Sequence, residues 1–381
     1  QYVAGGPVEP RPSVSRSVSV VRLADESLAM PIIEAAVLAG RCICWIRNTV
    51  ADAREAFAQV KSQSWMEPSA ITLFHSRFAM VDRQAIEKDV LSRFGRESVT
   101  AERTGQVLIA TQVVEQSLDL DFDDMISDLA PIDLLIQRAG RLQRHNRDAS
   151  GRVDNRAHDP RAAPSMYIIA PDVDDVVNES WLKQLLPGTQ AVYSNVGHLW
   201  LTLNVLMRHN RIAMPDDVRH LIESVYSDNA QEQIPEALLL ATSLALGAAK
   251  GEQGMAALNS LRLDKGYTRN SAESSGGWDE EVRKPTRLSA ESVCVVLVRP
   301  EGDGLKPYAI AEKHSWTLSQ ISLPEHEWQR VCRKIPSHWE KAIESLKTQM
   351  PELKWAEVLP LTDELQNCYS DKGGWAGMQN D

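Results

Sequence analysis

Cysteine is scarce, and its spacing builds nothing. Five cysteines, Cys42, Cys44, Cys294, Cys332 and Cys368, are spread over 381 residues. An odd count at those spacings excludes the disulfide framework of a small secreted domain and suits buried thiols in a reducing compartment such as the cytoplasm. Long apolar runs are missing too. None reaches the roughly 18 residues of a membrane span, and no signal peptide opens the chain, so no membrane partner is expected. Positive charge is in deficit, with 41 Lys and Arg against 52 Asp and Glu and a net charge of −11. That balance excludes a protein that coats nucleic acid by bulk charge, but not one that holds a strand along one groove. The 9 histidines show no metal-ligand spacing. His158-Asp159, beside Pro160, reads as a loop.

What is present is ordinary globular composition, 43% hydrophobic and 24% charged. The length suits two or three domains of about 150 residues each. Residues 1–16, rich in Pro, Gly and Ser, read as a linker. Strands are predicted at 17–23, 41–46, 70–74, 106–110 and 165–169, with helices at 28–38, 51–61, 82–94 and 134–143. This alternation specifies an α/β fold with a parallel sheet across 17–175. Ligands of such sheets gather at the carboxyl ends of the strands. Residues 176–284 read as a helical linker region, with a flexible connection around Ser271–Gly277. Residues 285–381 read as a small mixed α+β accessory domain, with strands at 293–298, 306–310 and 321–323 and a helix at 339–349. Of the tryptophans, Trp200, Trp328 and Trp339 read as packing, and Trp278 as a residue of the connection.

Chemistry concentrates between Val107 and Arg147. An apolar strand ends at Ala110, which puts Thr111 and Gln112 at a carboxyl end, where hydroxyl and amide groups can hold phosphates without reading bases. Asp119 suits a ribose contact. Gln137, Arg138, Arg141 and Arg144 fall on the predicted helix, with Gly140 opening its face to another backbone. Clustered guanidiniums suit a triphosphate, because each offers a rigid donor fork to phosphate oxygens.

Thr111 to Asp123, together with Gln137 to Arg144, resemble motifs five and six of superfamily-two helicases. The detailed form most resembles the CRISPR-associated helicase–nucleases of type I systems, subtype I-E. Trp45-Ile46-Arg47-Asn48-Thr49-Val50 resembles that family's motif four, and Phe74-His75-Ser76-Arg77-Phe78 its motif four-a. Pro285-Thr286-Arg287-Leu288 resembles the entry into its carboxy-terminal accessory domain.

The resemblance implies a second RecA-like motor domain. In it Arg141 and Arg144 match arginine fingers, Asp119 the ribose contact, and Gln137 and Arg138 positions against nucleotide. Thr111, Gln112, Thr49, His75 and Arg77 match positions that hold or adjoin single-stranded DNA. The implied activity is an ATP-dependent 3′-to-5′ translocase and nuclease, using ATP and Mg2+ and recruited by a CRISPR RNA-guided surveillance complex. Phage anti-CRISPR proteins are further expected partners. No Gly-x-x-x-x-Gly-Lys-Ser/Thr loop occurs, and no Asp-Glu box follows a strand. Those parts belong to a first RecA-like domain, and the nuclease metals to an amino-terminal domain, both expected outside this chain. The chain alone is therefore expected to bind none of these cofactors and to be inactive. The alternatives are a docking subunit for the surveillance complex, or a repair or RNA helicase of the same superfamily.

Overall fold

The computed structural model describes residues 15–115, 118–154, 158–259, 292–302 and 304–377. Most of the expected linker, the Ser271–Gly277 connection, Trp278 and Pro285–Leu288 lie outside the described residues.

The first part runs β1 (Arg16–Leu23), α1 (Ala29–Leu38), β2 (Ile43–Ile46), α2 (Val50–Lys61), β3 (Ile71–Phe74), α3 (Met80–Phe94), α4 (Thr100–Arg103), β4 (Val107–Ala110), β5 (Asp124–Asp128), α5 (Ile132–Ala139) and β6 (Ser165–Ile169). Next come α6 (Pro187–Val192), α7 (Val196–His209), β7 (Arg211–Met214), α8 (Val218–Tyr226), α9 (Asp228–Gln231) and α10 (Glu236–Asn259). The last part holds β8 (Ser292–Glu301), β9 (Gly304–Pro307), α11 (Ser315–Leu318), β10 (Gln320–Pro324), α12 (Glu325–Val331), α13 (Glu340–Gln349), β11 (Glu357–Pro360), β12 (Tyr369–Ser370) and β13 (Gly374–Trp375).

Seven strands form one sheet in the order β3-β4-β2-β5-β6-β1-β7. All neighbours are parallel except β1 and β7. Strands β2 and β4 are apolar throughout and fully buried, as expected where helices cover both faces of a parallel sheet. Strand β5 was not anticipated from sequence, because Asp124 and Asp128 bracket it. Both carboxylates are buried, and each meets an arginine: Asp124 with Arg41 at 2.7 Å, Asp128 with Arg47 at 3.0 Å.

Strand β7 was also not anticipated. It follows α7, pairs antiparallel with β1 and takes the sheet past residue 175. Helix α7 is buried along most of its length, including Leu199, Leu201, Leu203 and Leu206. Gly197 lets α10 approach: a Cβ there would sit 2.3 Å from Thr242 Oγ1. Instead, the Gly197 N–H donates to that hydroxyl at 3.1 Å.

The small sheet has the order β10-β8-β11, with β9 also on β8. Its core includes Val295, Leu297, Leu323, Trp328, Leu359 and Trp375, and is joined by Ala79 at the start of α3. Trp328 and Trp339 are packing residues, as expected. Strand β11 and helix α12 were not expected.

Candidate functional site

Adjacent strands β2, β4 and β3 end at one edge of the sheet, in the register Ile46–Ala110 and Phe74–Ala110. Thr49, His75 and Thr111 therefore line up one to three residues past those ends. Thr49 caps α2, its Oγ1 accepting from Asp52 N at 3.1 Å. The Thr111 N–H donates to Phe74 O at 3.1 Å. The Gln112 Nε2 donates to Asn48 O at 2.9 Å, tying the two ends together.

His75 and Arg77 lie on the same edge, His75 buried and the Arg77 side chain 26% exposed. The β12–β13 hairpin covers them. Trp375 N donates to Arg77 O at 2.8 Å, and Arg77 Nη1 meets Glu327 Oε1 at 2.5 Å. Trp375 Nε1 donates to the other Glu327 oxygen at 2.6 Å. The Tyr369 hydroxyl donates to Asp82 at 2.5 Å and accepts from Ala79 N at 2.8 Å. His75 is fully buried and stacks on Phe78 at 4.4 Å. Burial, with the Arg54 and Arg77 charges close by, pushes its pKa down to about 3.

Past Thr111 the chain makes a 3-10 turn at Gln112–Val114 and descends toward Asp119. The four motif-six residues do not share one helical face. Helix α5 ends at Ala139, and Arg141 N bonds to Arg138 O at 2.8 Å. The backbone of Phe122 then captures the chain, donating to Arg141 O and accepting from Gln143 N, both at 2.8 Å. Gly140 closes the helix rather than admitting another backbone. The nearest atoms to a Cβ there are its own Gln137 and Ile136 carbonyl oxygens.

Gln137 is exposed on α5. Arg138, expected against nucleotide and the opposing domain, turns inward here, its side chain 0% exposed. It bonds to Glu115 at 2.7 Å, Ser127 Oγ at 2.7 Å and Asn48 Oδ1 at 3.0 Å, bracing the floor beneath the site. Burial raises the Glu115 pKa despite this partner.

Arg141, Arg144 and Asp119 gather at the surface. Arg141 Nη2 donates to Glu115 O at 2.7 Å, while its Nε is buried without a partner. Arg144 Nε meets Asp119 Oδ1 at 2.7 Å, with the two side chains 39% and 44% exposed. His145 Nε2 meets the same oxygen at 2.9 Å. Burial works against the Asp119 charge, but the His145 hydrogen bond and the charges of His145, Arg144 and Arg141 hold its pKa low.

Sequence reasoning missed Arg16. It begins β1, its Nε is buried without a partner, and burial together with Arg144 lowers its pKa. The Arg16 charge also lowers the Arg141 pKa, after burial and Arg144. No motif flags Arg16, because it lies 128 positions before Arg144 in the chain. Beneath the cluster lies an anchor that was also missed. Arg147 meets Asp121 at 2.6 Å and the carbonyls of Gly95, Ser98 and Gly151, and Arg161 meets Asp121 and Asp123, both at 3.1 Å. His158 is exposed in a loop, as read from sequence. Among the described residues, no three His, Cys, Asp or Glu converge as a metal cluster.

The paired edges have known counterparts. Residues 39–147, which span motifs four to six, match the family described as CRISPR-associated nuclease/helicase Cas3, C-terminal. These residues thus carry a Cas3 C-terminal-type domain. The Cas3 endonuclease/helicase of Escherichia coli is 35% identical over 206 residues, covering 53% of this chain and 21% of that protein. The Thermus thermophilus Cas3 is 32% identical over 266 residues, covering 66% and 27%. The chain thus spans about a quarter of the curated Cas3 proteins it matches. Its fold is that of T. fusca Cas3 crystallised with AMPPNP (TM-score 0.67, 23% identity, 98% of this chain and 42% of that one). It also matches a chain of a structure described as a CRISPR RNA-guided surveillance complex, pre-nicking (TM-score 0.63, 23% identity, 96% and 43%). A Cas3 domain on this chain accounts for the motif spacing, whereas the Arg16 contribution lies outside the matched residues.

Proposed function

We propose that this chain supplies one wall of the nucleotide cleft in an ATP-dependent translocase and nuclease of CRISPR interference. Residues 17–175, whose sheet β7 extends, would form its second RecA-like domain, 176–284 a helical linker region and 285–381 the accessory domain. The observation that carries the proposal is the pair of buried, unpartnered Nε atoms on Arg16 and Arg141 beside the exposed Arg144–Asp119 pair. Buried donors without acceptors are costly, and a polyphosphate entering from outside supplies acceptors of the right charge.

A first RecA-like domain packed against this face would complete the cleft. Arg141 and Arg144 would then hold phosphate oxygens, with Arg141 kept in place by the Glu115 carbonyl. Asp119 would exchange Arg144 for the ribose hydroxyls. A bound nucleoside triphosphate with Mg2+ supplies the phosphoryl bond whose cleavage drives movement. Guanidiniums set in advance stabilise charge as it builds on the transferred group. Thr49 and Gln112, on the edge shared by β2 and β4, with the buried Thr111 behind them, would hold the backbone of single-stranded DNA without reading its bases. The surveillance complex would deliver that strand.

The test is strand-stimulated ATPase activity of this chain, measured with and without the first RecA-like domain of its Cas3. Activity is expected only from the combination. Robust hydrolysis by the chain alone would remove the shared-cleft reading, and stimulation by RNA rather than DNA would reassign the substrate.

A further inference from the structure

At the outer edge of the sheet, two histidines come together. His209 closes α7 and His220 lies in α8, the helix on the other side of β7. Their Nε2 atoms are 3.2 Å apart. Their ring centroids are 5.0 Å apart, with planes at 57°. Rings meeting end to end at that nitrogen separation would hold their centroids farther apart, so the nitrogens point obliquely rather than straight at one another.

The positions are set by packing. Leu206, Ile212 and Leu221 are fully buried behind the pair, and β7 is hydrogen-bonded to β1. His209 is half-buried and His220 exposed, so solvent reaches the site.

We propose that His209 and His220 form a bidentate site for a first-row divalent transition ion, with zinc as the reference. Two zinc–nitrogen bonds of about 2.1 Å spanning this gap enclose roughly 100°, near the tetrahedral angle. Imidazole nitrogens select zinc, nickel or copper and reject magnesium and calcium, which need oxygen ligands. No third His, Cys, Asp or Glu joins the pair among the described residues. Water therefore fills the remaining positions, and the ion exchanges freely rather than holding the fold together. Bound there, it ties the end of α7 to α8 across β7.

Zinc chloride alone is the probe, added to the intact 381-residue chain at neutral pH. In long-range proton–nitrogen spectra, the Nε2 signals of His209 and His220 are expected to shift together and saturate at one ion per chain. H209N and H220N, checked for unchanged circular dichroism, should each weaken binding at least about tenfold. Calcium should produce no shift. If the two rings respond independently, or if either variant binds zinc as tightly as the parent, the pair is only a neutral hydrogen bond and the proposal is overturned. Neither outcome touches the nucleotide cleft, whose residues lie on other elements.

Discussion

The guanidinium of Arg138 lies 2.7 Å from the carboxylate of Glu115, and neither side chain is more than 3% exposed. Arg141, three residues on, keeps a buried Nε with no partner. Neighbouring arginines of one motif thus sit in opposite situations, one fully committed inside the protein and the other incomplete at its edge. The first pair of expectations turns on that contrast.

Removing Arg138 leaves Glu115 buried without its counter-charge. R138A is expected to destabilise the chain by about 3–5 kcal/mol. Urea denaturation followed by circular dichroism measures it. A loss below 1 kcal/mol, on the order of an ordinary surface substitution, would mean that the buried pair is not structural.

R141A removes no buried ion pair and should leave stability nearly unchanged. In the complete motor it should lower ATP turnover by about a thousandfold to a hundred-thousandfold. R16A should act in the same direction but more weakly, by roughly ten- to a hundredfold, the loss of one charge-assisted bond. Turnover of R141A within twofold of the parent would remove Arg141 from the cleft.

Gly374 has φ +61, and a Cβ there would sit 2.5 Å from Arg77 O and 2.6 Å from His75 Cε1. Both faults bear on the hairpin that covers motif four-a. G374A is expected to lift β12–β13 off that edge at a cost of about 1–3 kcal/mol. Limited trypsin digestion should then cut at Lys372 faster, while α7 to α10 stay protected. Unchanged cleavage would show that the hairpin tolerates the side chain.

His75 gives the hairpin a pH dependence. Its folded pKa, about 3, lies below the unfolded value near 6.5, so its contribution is complete above pH 6.5 and declines as pH falls toward 3. At pH 5 the loss is about 2 kcal/mol relative to pH 7. H75N should flatten that part of the profile. An imidazole signal titrating near pH 6.5 in the folded chain would refute the burial argument.

Most of the sheet was legible in the sequence, because strands such as Val107–Ala110 are short apolar runs separated by periodic helices. Strand β5 was hidden by its terminal aspartates, whose partners Arg41 and Arg47 are remote in sequence. The motif-six arginines were recognised by type and spacing. Their geometry was misread, because Phe122 pulls the chain off the helix after Ala139, a long-range contact that periodicity cannot report. The cover over His75 and Arg77 was hidden for a similar reason. Their cover comes from Tyr369–Trp375, almost 300 residues away along the chain. Arg16 had no signature at all and emerged only as a neighbour of Arg144.

Strand β7 turns the sheet and the helices beyond it into a single lever. Val18 and Ser19 of β1 pair with Ile212 and Arg211, so main-chain bonds, not side-chain contacts alone, carry force from α7 into the sheet. A tug on α7 or α8 would twist the parallel sheet as a whole instead of sliding across its rim.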